Sequence, residues 1–401
     1  VISKGKKMLK TDVCIVGAGP AGATLSHFLH KEGIDHILVD KASFPRDKIC
    51  GDGITVDVLN VLKRISPELL EKFSQESEML ASWGFSFRGP SGKEIRYDFR
   101  DDGFPVAPFY TARRLNLDQF LIDHLPKNGS GEFWPSTEVT GLQRESNGIK
   151  VSLSDSQGEK EIHCKIIIGA EGEKPIVTRY LGLEHFREKQ HLLAAIRIYY
   201  KNVQGFNEGN HLEFFFDPKL LPGYFWAFPL SNNEANVGLG MISTAIAAKK
   251  INLKKIFQEV INTNPQIAPW FAEAEALESP KGWGLPVMTP KRRIGGDRYA
   301  LIGDAGGMIE AFTGKGIGPG MMSARIASEH IRVQVSKSSP QLDDYHEHMY
   351  KYYRTEMKTA YSLQGVLKYP SILNGAISIA NLAAVKRYTK DKMVQDFLRW
   401  V

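Results

Sequence analysis

Three groups of residues in this chain have the types and spacing that chemistry needs. The first is Gly17, Gly19 and Gly22 in the run Thr11-Asp-Val-Cys-Ile-Val-Gly-Ala-Gly-Pro-Ala-Gly22. Gly17 permits a tight strand-to-helix turn, Gly19 lets the backbone approach a pyrophosphate, and Gly22 lets helix and strand pack closely. The start of the following helix offers unpaired N–H groups and a positive dipole end to phosphate. Asp40 closes the next strand-like run, where its carboxylate can accept hydrogen bonds from both hydroxyls of a ribose. The glycine fingerprint is not specific by itself, since an ordinary βα turn also uses it. Here a β-branched strand (Val13, Ile15, Val16), the turn, an apolar-periodic helix (Ala21, Leu25, Phe28, Leu29) and a second strand ending in an acid follow in register. That combination predicts a dinucleotide site.

The second group lies far downstream. Tyr299-Ala-Leu-Ile-Gly-Asp-Ala305 reads as a short buried strand ending in an acid, and Phe312-Thr-Gly-Lys-Gly-Ile-Gly-Pro-Gly320 as a glycine-rich lead-in to a helix. Asp304 can hold a sugar-alcohol hydroxyl, or a bridging water near a pyrophosphate. Backbone N–H groups around Gly314, Gly316 and Ile317 can face the electron-accepting edge of a ring, and for a flavin would favour negative charge on the reduced pyrimidine. Alone, this segment reads equally as a loop and helix cap. Paired with Gly17 to Gly22 it becomes specific.

The third group is Tyr224, Trp226 and Phe228, whose alternation puts three large side chains on one face of a strand. They can wall an apolar cavity for a long chain, or pack the sheet against a neighbouring lobe. Among the three cysteines, Cys14 and Cys164 sit in apolar strand-like runs and read as core, whereas Cys50 does not. They are too few and scattered for a disulfide framework, and no pair has metal-ligand spacing. Arg114 is a candidate cofactor contact, while Arg113 reads as solvated. The eleven histidines show no ligand or triad spacing, so no metal is expected.

The elements that must position these groups follow from periodicity. After the first βαβ unit comes a loop rich in Pro, Arg, Lys and Gly (Ser43 to Gly53), then one helix pattern from Val56 to Phe73. Strand-like alternation marks Ser82 to Phe87 and Lys93 to Phe99, and Arg114 to Asp118 leads into an amphipathic helix. Strands are expected at Glu138 to Arg144, Lys150 to Leu153 and Glu161 to Ile168, and a β-rich stretch over 191–241. A helix near Leu253 to Asn262 follows, and the tail from Gly318 is mainly helical. The expected fold class is therefore α/β: a Rossmann-like nucleotide domain (9–80, 108–188 and 291–330) with an inserted β-rich substrate lobe (81–107 and 189–290) and a helical C-terminal region (331–401).

Composition narrows the class. The chain has 401 residues, 42% hydrophobic and 24% charged, which fits a globular body with a substantial core. Its net charge of +6 is mild and forms no stripe, so no nucleic-acid partner is expected. The basic start, Val1 to Lys10, does not read as a secretory signal, and Met8 is a candidate native start. The stretch Leu373 to Val385 is too short to span a bilayer. A cytoplasmic location is expected, with peripheral membrane contact left open. The tyrosine-rich tail, with Lys386, Arg387 and Lys390, reads first as a packed helical lid with a wet outer face and second as a membrane-surface contact.

Taken together, Gly17-x-Gly-x-x-Gly22, the Arg114-x-x-Leu-Asp118 helix start, Gly303-Asp304-Ala305 and the glycine-rich stretch that follows resemble the p-hydroxybenzoate hydroxylase-like flavoprotein superfamily, which binds FAD. Two further runs resemble its geranylgeranyl reductase branch: Pro45-Arg-Asp-Lys-Ile-Cys-Gly-Asp-Gly53, and Tyr224-Phe-Trp-Ala-Phe-Pro229 with Gly238-Leu-Gly240. The resemblance implies FAD held by Gly17, Gly19, Pro20, Ala21, Gly22, Asp40, Lys41, Arg46, Cys50, Gly51, Arg114, Val139, Glu171, Gly172, Gly303, Asp304, Gly314, Gly316 and Ile317. It implies a substrate wall at Tyr224, Trp226 and Phe228, with Cys50 facing the cavity as a candidate proton donor for C=C reduction in an isoprenoid chain, prenylated lipid or quinone. A thiol suits that role, although Arg46 and Lys48 would favour thiolate. The middle motif departs from the superfamily pattern: Glu171-Gly172 is followed by Pro175, and Arg179 is only approximately placed. No second nucleotide fingerprint is present for NAD(P)H, so the electron donor is NAD(P)H bound transiently, a ferredoxin or a separate reductase. The competing expectation is an oxygen-using monooxygenase or halogenase of the same fold, for which Tyr224-x-Trp226-x-Phe228-Pro229 is a partial echo and Lys48 or Lys63 a candidate lysine. A third is a flavin-binding electron-transfer or scaffold protein.

Overall fold

The structure, a computed structural model, describes residues 9–174, 176–183, 188–366 and 368–400; Met8 and Pro175 lie outside them. Twelve helices occur among the described residues: α1 Pro20–Lys31, α2 Val56–Ile65, α3 Pro67–Gln75, α4 Arg114–Asp123, α5 Ile176–Tyr180, α6 Ser243–Lys249, α7 Leu253–Thr263, α8 Ile317–Gln334, α9 Asp343–Tyr352, α10 Arg354–Val366, α11 Pro370–Ala380 and α12 Ala383–Trp400. The single helix expected from Val56 to Phe73 is two. Ser66 is extended, accepts the Leu69 N–H as an N-cap, and precedes Pro67, which cannot continue a helix from α2.

The α/β expectation holds. Strands Tyr299–Leu301, Gly158–Gly169, Leu9–Val16, His36–Val39 and Gly131–Trp134 lie side by side and parallel. Val13 is paired with Ile166 on one side and His36 on the other, and all strands of this core end at the same edge, where Val16 meets Gly169 and Val39. Both faces of such a sheet are covered, so its strands read as near-continuous apolar runs. A hairpin of Glu138–Glu145 and Gly148–Asp155 extends it antiparallel beside Gly158–Gly169. Helices α1 and α8 pack against each other, and Gly320 of α8 lies close to Gly303, just past strand Tyr299–Leu301, and to Ala21 of α1.

A second sheet carries the β-rich segments. Leu192–Lys201, Glu234–Ile242, Gly223–Leu230 and Leu212–Phe215 run antiparallel, and the pair Gly84–Arg88 and Glu94–Asp98 joins beside Leu212–Phe215. Its two faces divide by alternation. Phe225, Val237, Leu239 and Ile198 bury against Phe257, Val260 and Ile261 of α7, while Phe214, Tyr224, Trp226 and Phe228 turn the other way. The tail returns over this second face: Leu373 and Ile377 of α11 and Phe397 of α12 pack on its aromatic side chains. Among the described residues no helix is long and apolar enough to cross a membrane.

Candidate active site

A cavity of about 930 Å³ runs from the carboxyl edge of the parallel sheet to the aromatic face of the second sheet. The turn at its first end explains the glycine spacing. Gly17 has φ of +102°, and a Cβ there would lie 2.5 Å from the Ala170 carbonyl oxygen; one on Gly22 would lie 1.9 Å from that of Gly17. Gly19 caps α1 and differs from both: its nearest neighbours would be the guanidinium nitrogens of Arg46 at 3.4 Å and Arg114 at 3.8 Å. The space in front of Gly19 is thus open, flanked by two cations and a helix N-terminus, which suits a pyrophosphate.

The two arginines are held by Asp118. Arg114 places Nε and Nη2 at 2.6 and 2.7 Å from its carboxylate oxygens, and Arg46 Nη1 lies 2.9 Å from Oδ2. The Arg114–Asp118 spacing is one helical turn of α4, so the motif is a buried bidentate clamp. Asp40 accepts the Ala18 N–H at 2.8 Å and the Ala42 N–H at 2.9 Å, with Arg46 at 3.6 Å. Pro20, Ala21, Lys41, Gly51, Glu171 and Gly172 also line the cavity. Glu171 accepts the Val177 N–H at the start of α5, and burial pushes its carboxyl up to about 7. Gly22 and Gly303 stand behind the wall, where they close the turn and the α1–α8 contact. Val139 does not reach the cavity: its strand turns it into the main core, 5% exposed.

Asp304 and the glycine-rich loop sit at the middle of the cavity. The Lys48 ammonium lies 2.7 Å from Asp304; burial opposes the carboxylate's charge, but Lys48 and Arg114 outweigh it and hold the group below its ordinary value. Gly314, Lys315, Gly316 and Ile317 line the wall at the start of α8. Lys315 bridges Asp57 of α2 and Glu356 of α10, both at 3.3 Å, and Tyr224 donates its hydroxyl to the Thr313 carbonyl. The loop is therefore tied to three neighbours.

Cys50 lies at the joint between the two ends. Its thiol is pushed above the ordinary value, first by burial and then by the Asp52 carboxylate; Arg114 and Lys48 pull the other way and are outweighed. The opposing pull expected from Arg46 and Lys48 is blunted, because Asp118 engages Arg46 and Asp304 engages Lys48. Beneath Cys50 is a polar network that the sequence reading missed. Asp52, at φ +61°, accepts the Tyr199 hydroxyl at 2.6 Å and the Asn236 amide at 2.8 Å, and its other oxygen is buried without a partner. Asn236 also donates to the Cys50 carbonyl and accepts the Trp226 indole N–H, each at 2.8 Å. Burial raises the Asp52 carboxyl from 3.8 to about 6. Arg113, expected to be solvated, pairs with Glu234 and stacks on Tyr199 at 4.2 Å, opposite Arg197 at 3.8 Å. The one available signal was Asn236, a polar residue inside the apolar run Ala235 to Met241.

Tyr224, Trp226 and Phe228 do line the cavity, with Phe85, Phe87, Phe214 and Phe216 continuing the wall. The Gly238-x-Gly240 spacing has its reason here. Trp226 pairs with Gly238 across the sheet, and a Cβ on Gly238 would lie 2.3 Å from the indole, so glycine makes the bed on which the ring lies.

A parallel α/β sheet with this turn, and a second sheet closing an apolar cavity beside it, defines a flavin-dependent oxidoreductase. The chain belongs to the FAD binding domain family, whose sequence profile matches residues 10–354. It is 29% identical over 321 residues to a menaquinone reductase of Mycobacterium tuberculosis, covering 79% of this chain and 76% of that one. It is 28% identical over 369 residues to a digeranylgeranylglycerophospholipid reductase of Methanococcus vannielii, covering 90% and 86%. A geranylgeranyl bacteriochlorophyll reductase-like protein of Thermoplasma acidophilum shares the fold with a TM-score of 0.77 at 19% identity, over 98% of this chain and 100% of that one. A myxobacterial chondrochloren halogenase shares it with a TM-score of 0.73 at 18% identity, over 97% and 90%. FAD fits the residues present: the open face of Gly19 between Arg46 and Arg114 is a cradle that a Cβ would fill.

Proposed function

We propose that this FAD-dependent oxidoreductase reduces carbon–carbon double bonds in the polyprenyl chain of a lipid or quinone. The observation that carries this reading is the continuity of the cavity, from the Gly19 cradle past Cys50 to the wall of Tyr224, Trp226 and Phe228. Gly17, Gly19, Asp40, Arg46, Arg114 and Asp304 would hold the dinucleotide, with the Gly314 to Ile317 backbone lining the cavity beside it. FAD, when bound and reduced, supplies a hydride equivalent. The chain supplies the rest: the aromatic wall excludes water and orients a methyl-branched apolar tail, and Cys50 Sγ holds the proton that completes addition of H₂ across the double bond. The Asp52, Tyr199 and Asn236 network fixes the Cys50 backbone through the Asn236 amide, which donates to the Cys50 carbonyl.

Two electrons are returned to the cofactor by NAD(P)H, a ferredoxin or a separate reductase. Lys48 does not favour the oxygen-using alternative, since Asp304 engages its ammonium, and Lys63 is exposed on α2. The test is anaerobic. Chemically reduced protein is mixed with a digeranylgeranyl glycerolipid or a menaquinone, and product mass is followed. Gain of two hydrogens per reduced bond without oxygen is expected. Turnover that requires oxygen and adds oxygen or halide to an aromatic compound overturns the reading.

A further inference from the structure

Of the large apolar side chains exposed among the described residues, seven of eleven fall between Leu363 and Leu398. They are organised. Helix α11 contains no charged residue, and its inner face is pinned to the second sheet: Leu373 and Ile377 bury in the aromatic cluster, Asn374 accepts the Ser91 N–H, and Asn381 donates to the Glu94 carbonyl. That orientation leaves Ile372 and Ile379 outward at 47% and 60% exposure, continued by Tyr369 at one end and Leu382 and Tyr388 at the other. Residues 363–401 carry six basic and two acidic residues, so four of the chain's six net positive charges lie in this tail. An uncharged apolar ridge flanked by Lys368, Lys386 and Arg387 has the composition of a helix that lies in a membrane interface.

We propose that the outer face of α11 and its junction with α12 dock on an anionic lipid bilayer. The proposal rests on the polyprenyl-lipid reading above and gives it a route: Met393 and Phe397 on the inner face of α12 line the cavity, so the docked face and the apolar cavity belong to the same helical layer. A second copy of the chain suits this face less well, because a two-fold contact would set the basic flanks against each other. The ridge seats at the boundary of headgroups and acyl chains, and the basic flanks meet the anionic headgroups.

The experiment is co-sedimentation of the FAD-loaded full chain with vesicles of phosphatidylcholine alone or containing phosphatidylglycerol. Binding to the anionic vesicles, weakened by salt, is expected. Arg387→Gln with Lys386→Gln should weaken it about fivefold per charge removed, and Ile372→Ser with Ile379→Ser should abolish it. These positions lie outside the cavity, so all four substitutions should leave turnover of a detergent-dispersed substrate unchanged. No vesicle binding, or binding that ignores these substitutions, overturns the proposal. So does a dimer in light scattering that Ile372→Ser with Ile379→Ser dissociates. Turnover in detergent without vesicle binding refutes docking and leaves the activity standing; vesicle binding without reduction of any polyprenyl chain does the reverse.

Discussion

Asp52 is the group whose removal tests the site most directly. Its carboxyl is fully buried, accepts two hydrogen bonds on one oxygen and has none on the other. A rise from 3.8 to about 6 means that the folded protein binds this proton more tightly than the unfolded chain does. Between those two values the folded state therefore carries more protons, and stability falls as pH rises. The contribution vanishes below the lower value and reaches its full size, about 3 kcal/mol of destabilisation, above the higher one. Asp52→Asn removes it. The amide oxygen can still accept from Tyr199 and Asn236, and the amide nitrogen replaces the unpartnered oxygen. Urea denaturation of FAD-loaded protein at about pH 4 and about pH 7.5, with free FAD in fixed excess, should show the parent losing about 2 kcal/mol relative to the variant. Glu171, raised to about 7, and Glu213 impose the same sign on both proteins, so the difference isolates Asp52. Parallel pH curves for parent and variant would refute the reasoning.

Gly22→Ala and Gly19→Ala should part company. The first sets a Cβ 1.9 Å from a carbonyl oxygen, so folded yield and bound flavin should both fall. The second has space, so circular dichroism should be unchanged while fluorescence titration shows FAD about ten- to a hundredfold weaker, the cost of crowding the cradle by about 1–3 kcal/mol. Equal loss of fold in both would remove the cradle argument. Iodoacetamide on the FAD-free native protein should label Cys50 alone, since Cys14 and Cys164 are buried, and the rate should still be climbing above pH 9; a plateau by neutral pH would mean a thiolate. Gly238→Ala should cost about 1–3 kcal/mol by pushing the Trp226 ring off its bed, raising KM for a polyprenyl substrate with flavin content unchanged; normal KM would take Trp226 out of the substrate wall.

Much of the nucleotide end was legible because its signals are local. Gly17, Gly19 and Gly22 act within one turn, and Asp40 follows on the next strand of the same βαβ unit. Asp304 was legible for the same reason, as an acid just past a buried apolar strand. The network under Cys50 was not, because its members come from segments far apart in the chain. Tyr199 and Asn236 meet only through the pairing of two antiparallel strands, a register no single segment encodes. The partners that blunt the pull of Arg46 and Lys48 on Cys50 were hidden on the same grounds. Arg46 and Lys48 are neighbours in sequence, but their partners Asp118 and Asp304 are not. The break at Ser66–Pro67 was legible in principle, since serine before proline is both an N-cap and a stop; the continuous apolar periodicity through Phe73 concealed it. Val139 came from the resemblance alone, and its side chain, on a strand packed into the main core, does not line the cavity.

The protonation of the joint is set by the protein itself. Two cations lie within reach of Cys50, which would ordinarily produce a thiolate. Both are engaged by carboxylates, Arg114 by Asp118 and Lys48 by Asp304, while the Asp52 carboxylate keeps one unpartnered oxygen and acts on Cys50 more strongly than either cation. The thiol therefore stays protonated through neutral pH by burial and by that unbalanced acid. In the proposed function Asp118 would then do two things at once: it fixes the two arginines beside Gly19, and with Asp304 it withdraws positive charge from the proposed proton donor. A substitution such as Asp118→Asn should then act at both ends of the cavity. It frees Arg114 toward Cys50, so thiol alkylation should accelerate at neutral pH even where FAD content is retained. Loss of flavin with an unchanged alkylation profile would separate the two ends and break the link between the cradle and the proton.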